Sequence, residues 1–310
     1  MTHPTEATMT ETSAARLGRK IKSAPEGEGM DYLETLPKRV VYLYVPLTII
    51  LFVLLFPFYW MTLTSFKSTA ELTDFNTFNP FWVWQPTLQH LKDLLFGSHY
   101  PRWLLNTMMV SVTATALSLA ASVLAAYAIT RIRFRGARFV GVMIFFAYLV
   151  PPSVLFIPLA VVVSTYGLFD SPLALILTYP TILIPFSTWL LIGYFKTIPY
   201  ELEECALMDG ASRLQILLKI ILPLAVPGLI SAGIFCFTLC WNEFIYALVF
   251  IQSEANKTVP IAIVTVFTDG DNYRWGALMS GALVGSLPIC ILYSFFVNHY
   301  VSSLAGAVKE

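Results

Sequence analysis

The side chains able to do chemistry in this 310-residue chain gather in two places. One is the stretch ELEECALMDGASRLQILLKIILP, residues 201–223, with the acids Glu201, Glu203, Glu204 and Asp209. The other lies in an apolar run, where Ser231, Thr238, Asn242 and Tyr246 recur at spacings of seven, four and four, near one helical face. Glu243 stands beside them, and an ionisable group so placed faces a wet cavity or a partner. Hydroxyls and an amide on one face suit hydrogen bonds to a polyhydroxylated solute, with Trp241 or Tyr246 stacking on its apolar side. The same groups suit bonds that lock one helix to another. Both readings stand for Asn242 and Tyr246, whereas Glu243 fits the locking role better; Asn106 is a weaker candidate for a polar lining.

Other chemistries lack their parts. Cys236 and Cys240 are four apart, but with Cys205 and Cys290 they have no His or further Cys to complete a metal set, and read as small packing residues. His3, His90, His99 and His299 show no ligand spacing, so no metal is expected. No nucleophile–base pair appears in the apolar runs, which argues against a membrane-embedded enzyme. No G-x-x-x-x-G-K-[ST] loop is present to hold nucleotide. With zero net charge and no long basic stretch, nucleic acid is not an expected partner.

The elements that position these residues belong in lipid. The chain is 57% hydrophobic and only 12% charged, against about 25% charged in soluble domains. Six runs reach the roughly 20 apolar residues of a membrane helix: 40–63, 103–129, 139–163, 173–195, 224–250 and 276–297. Prolines interrupt several of them, among them Pro151, Pro152 and Pro158 in the third, Pro180 and Pro185 in the fourth, and Pro288 in the sixth. In lipid such breaks survive where other helices or a wet cavity satisfy the freed carbonyls. The expectation is one all-α integral membrane domain over 39–300. Fourteen Lys and Arg fall on the side of the termini, the RIRFRGAR turn and the 197–223 loop, against five on the other. Excess positive charge marks the cytoplasm, so both termini are expected inside. Residues 1–38 read as a loose cytoplasmic tail rather than a cleaved signal peptide, and 301–310 as a second short tail. A single intramembrane acid and no internal repeat speak against an ion-coupled secondary carrier.

Local signals resolve the 197–223 loop into two short helices. Pro199 suits a first turn, and Leu202, Cys205 and Ala206 are expected on one face. Gly210 suits a left-handed end, and Ser212 with Gln215 a capping box. Leu214, Leu217, Leu218 and Ile221 then follow helical spacing, and Pro223 closes the unit. An acidic helix sits poorly on an anionic leaflet, so docking in a partner's groove is the better reading. On the opposite side, Thr87 could cap a short helix with Leu88, Leu91 and Leu95 on one face. Gly281 and Gly285 form a small-xxx-small pattern for close helix packing.

EECALMDGAS followed by IILP resembles the EAA loop of ABC-importer permeases, with Glu204, Ala206, Gly210, Ile220, Leu222 and Pro223 matching and Cys205 replacing the central alanine. WLLNT, RIRFRG, FKTIPYELEE, CWNEFIYAL and the tail GAVK, in this order, resemble the second permease of maltose-type, carbohydrate uptake class 1 importers. The resemblance implies a six-helix type I permease fold in the bacterial inner membrane. It also implies a heterodimer with a second permease, two ATPase subunits that bind ATP and Mg, and an extracytoplasmic sugar-binding protein. No cofactor of this chain's own is implied. The loop, with Glu204, Ala206, Asp209, Gly210 and Pro223, would then be the coupling element seated in the ATPase, and Gly306, Ala307 and Lys309 a tail reaching between the ATPase subunits. The solute would be a sugar, oligosaccharide or glycoside, with a polyol or glycerol phosphate as the alternative.

Overall fold

The computed structural model describes residues 36–74, 79–132, 134–269 and 272–307, with backbone alone at 269, 272 and 297–307. Most of the expected 1–38 tail, and Lys309, lie outside them. The helices in chain order are α1 (Leu36–Phe66), α2 (Thr69–Thr73), α3 (Gln89–Phe96), α4 (Tyr100–Ile132), α5 (Ala137–Tyr148), α6 (Pro152–Thr165), α7 (Pro172–Thr178) and α8 (Pro180–Thr197). They continue with α9 (Glu201–Met208), α10 (Arg213–Leu224), α11 (Val226–Trp241), α12 (Ile245–Phe250), α13 (Val259–Val266) and α14 (Trp275–Ala307). A two-stranded antiparallel hairpin, β1 (Thr268–Asp269) with β2 (Asn272–Tyr273), is the sole departure from helix among the described ordered elements of the all-α expectation.

The residues form two compact units divided between Tyr59 and Trp60. In the first, the α1 residues after Arg39 are nearly all apolar and mostly exposed, as a helix surrounded by lipid allows. The second holds the bundle.

Two expected spans are broken rather than straight. Between α5 and α6 the chain bends by 99°, at the Pro151–Pro152 pair. Proline lacks the N–H that would continue the ladder and clashes with the preceding turn. The 224–250 run divides into α11 and α12 at Asn242–Phe244, and α10 meets α11 at 79° across Ala225. Pro223 therefore lies inside α10, and the bend comes two residues later. The sixth span runs longer than expected: α14 continues to Ala307, so the small-residue tail carries on the helix. Residues 259–266, outside the six apolar runs, form α13.

Three apolar clusters hold the bundle. One joins α4, α6, α7, α11 and α12 through Ala114, Leu175, Cys236, Cys240, Tyr246 and Phe250. A second, toward the 197–223 loop, joins α4, α8 and that loop through Tyr127, Leu191, Phe195, Ile216 and Ile221. The third lies at the opposite end around Tyr100, Trp103, Val259 and Phe267. There Tyr100 donates to the Gly281 carbonyl (2.6 Å), while the Trp241 indole donates to that of Gly285 (3.1 Å). Both glycines thus sit in close packing, each with its carbonyl taken by an aromatic donor. In α3 the buried residue is Leu94, while Leu88 and Leu95 are exposed, so the apolar face expected there is rotated. Thr87 accepts from the Gln89 amide at 3.1 Å, one turn position earlier than a full cap.

Candidate functional site

The 197–223 loop folds locally as its residues dictate. Pro199 sits two residues ahead of α9, outside its first turn. α9 ends in a Schellman pattern, with Gly210 N–H bonded to Leu207 O and Ala211 N–H to Ala206 O, both at 3.0 Å. Gly210 has φ +83°, the left-handed conformation that a residue without Cβ adopts without strain. Ser212 then opens α10 through a reciprocal capping box: its N–H donates to Gln215 Oε1 (2.8 Å) and its Oγ accepts from the Gln215 amide (3.4 Å).

The faces differ from expectation. Glu203 and Ala206 turn inward on α9, while Leu202, Glu204, Cys205, Met208 and Asp209 stay exposed. On α10 the buried residues are Ile216, Leu217 and Ile221, and Leu214 and Leu218 are exposed. A π-turn over Leu217–Ile221 interrupts the α-helical period within this stripe. On the loop, Leu202, Met208, Leu214 and Leu218 remain exposed as an unburied apolar ledge, and Glu204 and Asp209 are exposed as well.

Glu203 was not singled out, yet it anchors the loop. It is fully buried, and its Oε1 lies 3.0 Å from Nε of Arg131, itself buried at the end of α4. Half-exposed Arg213 approaches its other oxygen at 3.9 Å, and the Tyr127 hydroxyl lies 3.4 Å from both that oxygen and the Arg213 carbonyl. Arg131 also donates to the Phe195 and Ile198 carbonyls at the end of α8, and stacks over Tyr200 at 5.7 Å. Burying an unpaired carboxylate costs several kcal/mol (roughly 3–5 when one partner is removed), so this convergence of donors is what keeps α9 seated. The RIRFRGAR turn reads in sequence as a side marker; its first arginine is a structural clamp.

In the fifth span the polar stripe is interrupted. α11 stops at Trp241, and Asn242 (φ −94°, ψ 2°) leaves the helix, so Thr238, Asn242 and Tyr246 do not share a continuous face. Tyr246 and Trp241 are buried in the core rather than presented to a cavity. Glu243 caps α12, accepting from the Tyr246 amide (2.8 Å), the Ala247 amide (3.1 Å) and the Tyr179 hydroxyl (2.9 Å). Asn242 is exposed and Thr238 partly so, the latter 3.3 Å from the Tyr293 hydroxyl. Asn106 donates to the Ala255 and Lys257 carbonyls, holding a loop at the far end. A recess of about 260 Å³ opens where the third and fifth spans break, lined by Pro152, Tyr179, Asn242, Glu243 and Phe244. Sequence reasoning found Asn242 and Glu243 there. It missed Phe244, directly after Glu243, and Tyr179, which comes from another span with no spacing to link it. Gly306 and Ala307 lie on the last turns of α14.

Residues 118–306 match the family model described as binding-protein-dependent transport system inner membrane component. The inner membrane ABC transporter permease protein YcjP of Escherichia coli is 36% identical over 86% of this chain and 95% of its own. The diacetylchitobiose uptake system permease protein DasC of Streptomyces coelicolor is 35% identical over 84% and 94%, and the trehalose/maltose transport system permease protein MalG of Thermococcus litoralis 32% over 82% and 91%. A crystal structure of a bacterial ABC transporter involved in importing the acidic polysaccharide alginate superposes with TM-score 0.73, covering 85% of this chain and 98% of that one at 23% identity, which establishes the shared fold. The chain therefore belongs to the binding-protein-dependent inner membrane component family: it is a type I permease subunit of an ABC importer and not an enzyme.

Proposed function

We propose that the solute is a sugar, an oligosaccharide or glycoside, and that the 197–223 loop receives the power stroke of a partner ATPase. The carbohydrate names of two of the relatives above support the first part. The Arg131–Glu203 clamp carries the second: it fixes the inner face of α9 to the ends of α4 and α8 while leaving an apolar ledge unburied. A surface helix with no mechanical task has no need of a buried ion pair beneath it. In this reading Glu204, Asp209 and Gly210 shape the ledge, with Ala206 packed beneath it and Pro223 near the bend into α11.

The complete importer would contain this chain, a second permease, two ATPase subunits holding ATP and Mg, and an extracytoplasmic binding protein. Both termini would lie on the ATPase side, where Gly306, Ala307 and Lys309 would approach the ATPase seam. Asn242, Thr238 and the recess beside Glu243 would touch the passing sugar, with Tyr246, Trp241 and Asn106 supporting them from the core and the far end.

Cys205, exposed on the crest of α9, provides the test. With Cys290 replaced by serine, a maleimide–photoreactive crosslinker on Cys205 should join this chain to the ATPase subunit in the assembled importer. Crosslinking to lipid alone in the assembled complex would overturn the coupling reading.

A further inference from the structure

On the bundle's side, at the end bearing the 197–223 loop, a groove of about 790 Å³ runs between α4, α5 and α8. Its construction is symmetric about the cleft. Arg138 stands at the start of α5 and Lys196 in the last turn of α8, both exposed. Seven residues into each helix, Phe145 and Trp189 meet with ring centroids 5.9 Å apart. At 1.5 Å rise per residue the cations therefore stand roughly 10 Å above an aromatic floor. Val142 and Ile192 line the walls between. Trp189 is 55% exposed and Phe145 37%. Among the described residues no carboxylate lies within ion-pair distance of either cation, and no acid lines the groove.

The vertical order is two positive charges at the membrane border, then apolar walls, then an exposed tryptophan. It is complementary to one class of ligand available there: an amphiphile with an anionic head and hydrocarbon tails. Basic pockets between membrane helices attract anionic headgroups, each cation near the surface contributing about 1 kcal/mol. A sugar has no apolar tail for the lower half, and a soluble anion leaves the floor bare. A companion helix could cover the apolar part, but it would need acids at the level of the two cations to avoid burying them unpaired.

We propose that this groove is a binding site for an anionic phospholipid, with its phosphate between Arg138 and Lys196 and an acyl chain along Val142, Ile192 and Trp189. The assignment is independent of which solute the importer carries and of how the loop is driven.

The test is tryptophan quenching in the assembled importer, reconstituted in vesicles carrying acyl-brominated phosphatidylglycerol or acyl-brominated phosphatidylcholine at equal fraction. The Trp189 signal is taken as the difference between the parent and a Trp189→Phe variant. Brominated phosphatidylglycerol should quench it at about thirtyfold lower mole fraction than phosphatidylcholine, the scale of two surface cations. Arg138→Gln with Lys196→Gln, both at exposed positions, should erase that preference while leaving quenching by phosphatidylcholine. Equal quenching by the two lipids in the parent would mean ordinary lipid contact and overturn the proposal. So would a Trp189 that neither lipid quenches, which would mean that a companion subunit fills the groove.

Discussion

At the scale of single residues, Gly210 isolates a backbone effect. Its φ of +83° favours a residue without Cβ, yet nothing lies within 4 Å of where a Cβ would stand. Gly210→Ala should therefore cost about 1–2 kcal/mol of local conformational strain without any steric clash. The strain is released if the turn re-forms with α9 and α10 at a different angle, which would misplace the exposed ledge. The expected outcome is a permease that inserts normally but supports transport several-fold less well in membrane vesicles; Gly210→Asn, which tolerates the left-handed region better, should retain more. Equal losses in the two variants would point away from the turn's conformation. This residue was legible in sequence because its signal is local: glycine after a helix and a capping box two residues on. Glu203 was not, because the arginine that gives it meaning is 72 positions earlier in the chain, on another span.

At the scale of elements, short helices were readable where caps and prolines mark them and misread where registry depends on tertiary packing. The Ser212 and Gln215 box starts α10 where the sequence places it, but the π-turn at Leu217–Ile221 carries no sequence mark and interrupts the α-helical period. Asn242 likewise ends α11 with no proline or glycine to announce it; the break is stabilised by Glu243, which caps the next helix. α9, α4 and α8 are tied together because Arg131, on α4, contacts Glu203 on α9 and the Phe195 and Ile198 carbonyls at the end of α8. Replacing Glu203 by Gln leaves a buried guanidinium short of its counter-charge, a loss of about 3–5 kcal/mol in comparable buried pairs. Part of this is expected as lower complex stability. The diagnostic expectation is a lower ratio of transport to ATP hydrolysis in surviving complexes, because a loosened α9 moves without carrying α4 and α8. Glu203→Asp should restore that ratio in part. A Glu203→Gln complex with reduced yield but an unchanged ratio would leave the clamp with a purely structural part.

At the scale of the whole bundle, the end opposite the 197–223 loop is laced by loops that meet across distant sequence. Asp170 is the centre: its Oδ1 accepts from the Gln252 amide (3.0 Å), the Ser253 amide (2.8 Å) and the Ser253 hydroxyl (2.9 Å), while its carbonyl accepts from Asn256 (2.6 Å). Asp170 adopts φ +60°, a strained conformation for most side chains that Asp tolerates better than most. Trp103 and Asn106 hold the same 252–257 loop from α4 through the Glu254, Ala255 and Lys257 carbonyls. The loop between the third and fourth spans is thereby fastened to the one after the fifth, so the far ends of these spans are restrained together. Burial pushes the Asp170 carboxyl up, but the donors from Ser253, Gln252 and Asn256 outweigh it and hold it below the ordinary 3.8. A carboxylate with a lowered folded pKa contributes its full stability above 3.8 and loses it as pH falls through the lower folded value. Hydrogen exchange at the Gln252 and Ser253 amides, corrected for intrinsic rate, should therefore stay protected at neutral pH and open only in strong acid. Asp170→Asn keeps one acceptor oxygen and tolerance of the left-handed backbone, so its fastening should be weaker at neutral pH and lack the acid-dependent step; Asp170→Ala should lose about 2 kcal/mol of protection at every pH above that window. An acid transition of the same size in the Asn variant would assign the step to other carboxylates and leave Asp170 as a neutral hydrogen-bonding corner.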